Sequence, residues 1–282
     1  MAVVIATNVA SLSSQRHLEK NQMSLNKSMT RLSSGLRINT AADDSAGLAI
    51  SESLKGQTRS LQQASRNAGD GVSLLQTAEG SLNEVSGVLV RMRELAVQSS
   101  NGTLTTTQRG SLHQEFTQLR AEIDRIGNST KFNGISLTDG NLSAGVTFQI
   151  GQDNSSSSRL TVSIADSRSA ALGSSATTAR LDDQTVSTSA GAQTALSVID
   201  DAINDITTIR GNMGAAMNRL SVTMTNLATA VENFSAANSR IRDVDVAEET
   251  AALTRSQILS QAGISVLAQA NQAPQSALSL LR

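Results

Sequence analysis

The sequence predicts a mostly α-helical protein: a long antiparallel coiled-coil bundle, a small β-hairpin region, and paired N- and C-terminal helices. Three observations carry this. Apolar side chains recur at alternating steps of three and four in three separate stretches. The 282 residues include one proline, which suits long unbroken helices. Both chain ends are amphipathic yet almost free of charge.

The longest stripe runs Leu196, Ile199, Ile203, Ile206, Arg210, Met213, Met217, Leu220, Met224, Leu227, Val231 and Phe234. A sustained period of about 3.5 residues keeps one narrow seam on a partner helix. At 1.5 Å per residue the rod is roughly 60 Å long. Arg210 alone breaks the chemistry, and it sets register or extends its charged head to water. A second stripe has the same rhythm: Ile50, Leu54, Gln57, Leu61, Ala64, Ala68, Gly71, Leu75, Ala78, Leu82, Val85, Leu89, Met92 and Ala96. A third, Leu112, Phe116, Leu119, Ile123 and Ile126, follows the turn-rich stretch 99–107. Thr105 and Gln108 have the spacing of a capping box at its start.

Between the stripes the period changes. Val146, Phe148 and Ile150 alternate with polar residues, as do Leu160, Val162 and Ile164, so a β-hairpin is expected across the loop 152–159. From Ala165 to about Thr194 the chain is rich in Ser, Thr, Ala and Gly without either period. It reads as an exposed tip, partly disordered or a very small subdomain.

No side chain is charged from Met1 to Gln15 or from Ser256 to Leu281. Leu18, Leu25, Met29, Leu32 and Leu36 form a seam near the start, with Ile5, Val9 and Leu12 slightly out of phase. Leu259, Ala262, Val266, Ala270 and Ala273 form one near the finish. Solvated helices normally carry Lys and Glu on the outer face. Neutral Gln, Asn and Ser suit a face covered by other subunits or lining a confined wet space. The apolar side chains here are too few to offset the entropy of ordering the ends alone, so they should fold on a partner. The chain thus divides into a terminal helix (1–38), a connector (39–47), bundle helices (48–130), the hairpin region (131–164), a short exposed insert (165–190), a long bundle helix (191–239), a second connector (240–250) and a terminal helix (251–282).

Composition excludes several functions. Net charge is −1, so there is no electrostatic footprint for nucleic acid, and apolar runs are too short for membrane insertion. Cys is absent, which removes thiolate chemistry and disulfides. The four Phe are the only aromatics, so a core built on aromatic anchors is not expected. The start carries neither a basic n-region nor a long apolar core, so export by a cleaved signal is not expected and another route stays open. His17 and His113 stand alone, and His113-Gln-Glu-Phe lacks the second His of a helical zinc motif. No glycine-rich phosphate loop follows a strand. The carboxylates Asp43, Asp44, Asp243, Asp245, Glu248 and Glu249 read as helix caps before they read as metal ligands. Ser155–Ser158 reads as a solvated loop. We expect no enzyme, no metal and no cofactor.

Several motifs resemble those of bacterial flagellin. They are Leu32-Ser-Ser-Gly-Leu-Arg-Ile-Asn-Thr-Ala-Ala-Asp-Asp-Ser-Ala-Gly-Leu-Ala-Ile50, Arg91-Met-Arg-Glu-Leu-Ala-Val-Gln98, Phe132-Asn-Gly134, the stretch from Gln257 to Gln272, and Leu278-Ser-Leu-Leu-Arg282. The likeness covers roughly residues 1–164 and 190–282. It implies a secreted subunit that passes unfolded through the flagellar type III apparatus and polymerises into an extracellular filament, the helical propeller of swimming. By the same resemblance the two ends pair in an inner tube, with Leu25, Leu32, Leu259 and Val266 as assembly positions. The implied partners are other copies of the chain, an export chaperone, and cap and junction proteins. Host receptors would read Arg91, Leu95 and Glu115 on the bundle, and Leu278, Leu280 and Leu281 at the C-terminus. The alternative reading is a hook–filament junction protein.

Overall fold

The computed structural model describes residues 7–173 and 179–279, with side chains of the last helix as far as Gln272. Among the described residues there are five α-helices: α1 (Val9–Ser34), α2 (Ser45–Ser100), α3 (Thr106–Ser129), α4 (Ser189–Arg242) and α5 (Val246–Ser279). Four short strands lie between α3 and α4: β1 (Lys131–Phe132), β2 (Ile135–Ser136), β3 (Val146–Gln149) and β4 (Arg159–Val162). The chain divides into two units, Arg59–Val231 and Met1–Thr58 with Glu232–Arg282.

In the unit Arg59–Val231 the two long stripes face one another. Leu61, Leu75, Leu82, Leu89 and Met92 of α2 are buried, as are Ile199, Ile206, Met213, Leu220 and Leu227 of α4. Ile203, Met217 and Met224 are half-buried and pack against the same cluster. Arg93 pairs with Asp200 at 2.7 Å and Arg210 with Glu79 at 3.8 Å, while Gly71 abuts Leu220. Positions on α2 rise as those on α4 fall, so the pair is antiparallel. Arg210 therefore reaches across the seam to an acid on the partner helix, and its guanidinium stays partly in solvent. Helix α3 adds Phe116 and Ile123 to the cluster and starts on the expected capping box: the Gln108 N–H donates to Thr105 Oγ1, and the Thr105 N–H donates to Gln108 Oε1.

The hairpin forms as expected. Strands β3 and β4 are antiparallel, with Phe148 opposite Leu160 and Val146 opposite Val162. Its position is set by a glycine. A Cβ on Gly71 would lie 3.2 Å from Phe148 Cδ1 and from Leu220 Cδ1, so the missing side chain in the α2 stripe is the space into which the hairpin ring fits. A second, shorter hairpin joins β1 to β2 through Asn133 and Gly134, both at positive φ. This Asn-Gly pair is the residue choice a two-residue primed turn requires.

The insert 165–190 departs from expectation. Leu172, Leu181 and Val186 are buried within the bundle's own core cluster, and Ser167 and Ser169 are buried too. Polar bonds fasten it to α3. Asp124 accepts from the Ser169 N–H at 2.8 Å and from its hydroxyl at 2.9 Å. Arg168 bonds the Asp166 carboxylate and the Asp139 carbonyl, and its stem lies over Gly127, where no Cβ intervenes. Burial pushes the Asp166 carboxyl up, but the Arg168 bonds outweigh it and hold the group below its ordinary value. The segment is a strap across the bundle. It shows no period because its described residues hold only one turn of 3-10 helix, Leu181–Asp183, before α4 begins, and single apolar residues anchor it.

The unit formed by the two ends contains both connectors, which are paired. Gly35, at φ 71°, ends α1 in the left-handed region, and Leu36 forms an antiparallel bridge with Asp243. The Arg37 N–H donates to the Arg242 carbonyl at 2.6 Å and the Val244 N–H to the Gly35 carbonyl at 3.1 Å. Asp44 caps α2 by accepting from the Gly47 N–H, and Asp245 caps α5 by accepting from the N–H groups of Ala247 and Glu248. Asp43 bonds Lys27 at 2.8 Å and the N–H groups of Thr40 and Asn39, which hold its carboxyl well below the usual carboxylate range. Ile50, expected in the α2 seam, is exposed, and the buried position beside it is Ser51.

Two outcomes follow. Leu220→Asp places an unpaired charge at a fully buried position and should destabilise the bundle by about 3–5 kcal/mol in urea unfolding; an unchanged midpoint would remove Leu220 from the core. Asp43 has a depressed pKa when folded, so its contribution is complete at neutral pH and is lost as pH falls below about 4. The melting difference between the parent and Asp43→Asn should therefore be largest near pH 7 and close in acid; a difference that grew on acidification would reverse the sign.

Candidate assembly surface

Helices α1 and α5 pack on each other through a seam of the same period as the bundle but of different composition. On α1 the covered positions are Ser11, Ser14, Leu18, Asn21, Leu25, Ser28 and Leu32, of which Ser11 and Ser28 are fully buried. On α5 they are Glu249, Leu253, Ser256, Ser260, Gly263, Leu267 and Ala270, each half-buried. The pairing is antiparallel: Asn8 donates to the Ala270 carbonyl at 2.8 Å, Ser11 to Asn271 at 2.8 Å, and Arg31 lies 3.3 Å from Glu249. Leu18 lies against the open side of Gly263. Small and hydroxyl side chains let the helices approach, but they remove little apolar area from water.

Leu25 and Leu32 are half-buried on α1, whereas the bulky members of the expected α5 stripe lie outside the seam. Leu259 is 46 % exposed and Val266 54 %. The covered stripe runs through Ser256, Ser260 and Gly263 instead. Apolar periodicity alone pointed to the bulky residues. The competing signal was an equally regular row of Ser, Gly, Ala and Leu, which a search for large apolar groups passes over. Of the remaining terminal positions, Met29 is exposed, and Ile5, Leu280 and Leu281 lie outside the described residues, as do the side chains of Ala273 and Leu278.

The unpaired faces carry apolar side chains: Val9, Leu12, Met23 and Met29 on α1, among the exposed Arg16, Glu19, Lys20 and Lys27, and Ile258, Leu259, Ile264 and Val266 on α5. No charged side chain lies on α5 beyond Arg255. Exposed apolar side chains gathered on the charge-free stretch of α5 mark an interaction surface.

The bundle patch also differs from expectation. Arg91 donates to Glu115 Oε1 from Nε at 3.0 Å and from Nη2 at 2.8 Å, and it also bonds Glu94. Both Arg91 and Glu115 are exposed. Leu95 is only 1 % exposed, because its position on α2 turns it into the bundle core. The surface feature here is the ion pair, with Leu95 packed in the core and not presented on the surface.

Comparison with known proteins decides the family. The bacterial flagellin N-terminal helical region matches residues 5–143, and the bacterial flagellin C-terminal helical region matches residues 196–281. The chain belongs to the bacterial flagellin family. Among its relatives, a flagellin of Halalkalibacterium halodurans is 45% identical, over 99% of this chain and 100% of that one. A flagellin of Bacillus subtilis is 44% identical over 98% of each, and the flagellar filament 33 kDa core protein of Treponema phagedenis is 42% identical over 99% and 100%. These whole-length matches to flagellins do not favour the hook–filament junction reading. Flagellins are structural proteins. The two matched regions fall on either side of the strap.

Gly263→Ala tests the seam. The new methyl would meet Leu18 Cδ1 at 3.4 Å, an ordinary contact, and would remove a mid-helix glycine. Helicity should rise in far-ultraviolet circular dichroism, with about 0.5–1 kcal/mol of added stability. A loss of helicity would show that the pair needs a closer approach than a methyl allows.

Proposed function

We infer that this chain is the repeating subunit of a bacterial flagellar filament and assembles with identical copies outside the cell. The observation that carries this is the imbalance at the ends. Helices α1 and α5 spend their small and hydroxyl residues on each other and leave Ile258, Leu259, Ile264 and Val266 uncovered. Burying such side chains is worth about 1.5–3 kcal/mol each, and only another molecule can supply the cover. A face without charge pays no desolvation penalty when neighbours close over it.

The same features support passage as an unfolded chain through a type III export channel, where no thiol can cross-link and long neutral stretches offer no ionic trap. Export chaperone, cap and junction proteins are the partners that this reading entails. No helix among the described residues is long and apolar enough to cross a membrane. The exposed Arg91–Glu115 pair supports recognition of the bundle by a host flagellin receptor, through charge and hydrogen bonding and without Leu95.

Leu259→Glu tests the filament reading. The substitution is at an exposed position, so the folded subunit should melt within about 0.5 kcal/mol of the parent. On assembly it buries a charge without a partner. The parent should elongate added filament fragments in a sedimentation assay, and the variant should not. A parent that stays monomeric with seeds, or a variant that elongates them equally well, would overturn the proposal.

A further inference from the structure

The charges of the unit formed by the two ends are settled unevenly. Arg16, Glu19 and Lys20 stand exposed on the outer face of α1, and among the described residues their side chains have no partner. The same holds for Arg240, Asp243 and Glu248, which line a cavity of about 620 Å³ between α1, α5 and the connectors. The other charged walls of that cavity are already bonded. Lys27 is held by Asp43, Arg31 by Glu249 and Arg37 by the Ile241 carbonyl, while Asp245 caps α5. The exposed group is two cations and an acid. The cavity group is two acids and a cation.

Both outer faces keep the heptad step. On α1 the row is Val9, Ser13, Arg16, Lys20 and Met23; on α5 it is Glu248, Ala252, Arg255, Leu259, Ala262 and Val266. The α5 row begins in the cavity wall and continues into the apolar surface left uncovered on the subunit. Within one chain the two charged groups cannot meet. Arg31 lies level with Glu249 and Asn8 with Ala270, so Lys20 stands level with Ser260, about 18 Å along the pair from Glu248. A second copy running in the same direction can lay its α1 antiparallel against this outer row. With its Lys20 at Glu248, its Val9 falls at Leu259 and its uncharged Ser13 at Arg255. One stagger therefore suits the charges and the apolar rows together.

We propose that a second copy of this chain docks the Arg16, Glu19 and Lys20 face of its α1 at this cavity, Lys20 pairing with Glu248 and Glu19 with Arg240. The proposal rests on the filament reading and assigns the contact that sets the register of the polymer. Heptad rows can slip by seven residues and stay in phase. Here a slip one way sets Lys20 against Arg255, and a slip the other way carries it past the start of α5. Apolar cover supplies the adhesion, and the charges select one offset of about 18 Å between neighbours. Walls around the pair also leave it less screened than an ion pair on open surface.

The test uses full-length chain elongating filament seeds, with critical concentration read by sedimentation and folding by circular dichroism. Lys20→Glu and Glu248→Lys should each raise the critical concentration roughly tenfold or more, with the bundle melt unchanged. The variant carrying both reversals should return to within about threefold of the parent, because the swapped charges attract again. A carbodiimide gives a readout on unsubstituted chain. It activates the Glu248 carboxylate, the Lys20 amine attacks, and an amide forms as the urea leaves. The peptide joining Lys20 to Glu248 should appear in sedimented filaments and be absent from free subunits. Single reversals that elongate seeds like the parent would overturn the proposal, as would a double reversal no better than either single. So would parent filaments without the cross-link, which decides the question should a variant misfold. A parent that fails to elongate seeds would instead sink the filament reading itself.

Discussion

The four–three apolar seam between α2 and α4 is the constraint on which the unit Arg59–Val231 depends. Two helices whose apolar residues keep the same period can stay in contact over many turns, and antiparallel pairing then brings each stripe onto the other. Arg93–Asp200 and Arg210–Glu79 sit beside this seam as register marks. Everything else in that unit is fitted to it. Helix α3 adds a third face, Phe148 fills the space opened by Gly71, and the strap places Leu172, Leu181 and Val186 into the same cluster.

The pair α1–α5 obeys the same geometry and a different chemistry. A seam made of Ser, Gly, Asn, Ala and Leu holds two helices together weakly, since each small residue buries little apolar area. What it leaves outside on α5 beyond Arg255 is bulky and neutral. A design of this kind stores association energy on the outer surface, where another copy can release it.

Much of this was legible before any coordinates. The bundle seams, the capping box at Thr105, the β3–β4 hairpin and the capping roles of Asp44 and Asp245 follow from spacing and residue type, because each is set by local sequence rhythm. The strap was not legible. Its anchors are single apolar residues at irregular intervals, and their burial depends on a groove made by elements far away in sequence. The short Asn-Gly turn at 133–134 did carry a local signal, yet its strands are only two residues long.

The sequence by itself determined that long helices pair with a heptad rhythm and that the outermost stretches of both ends are neutral and amphipathic. These are consequences of periodicity and composition, which need no knowledge of partners. The tertiary structure decided which of several apolar rows is covered. Leu95 turns inward because α2 is wrapped by both α3 and α4. Leu259 and Val266 stay outside because α1 meets the small residues of α5, where two backbones can come closest.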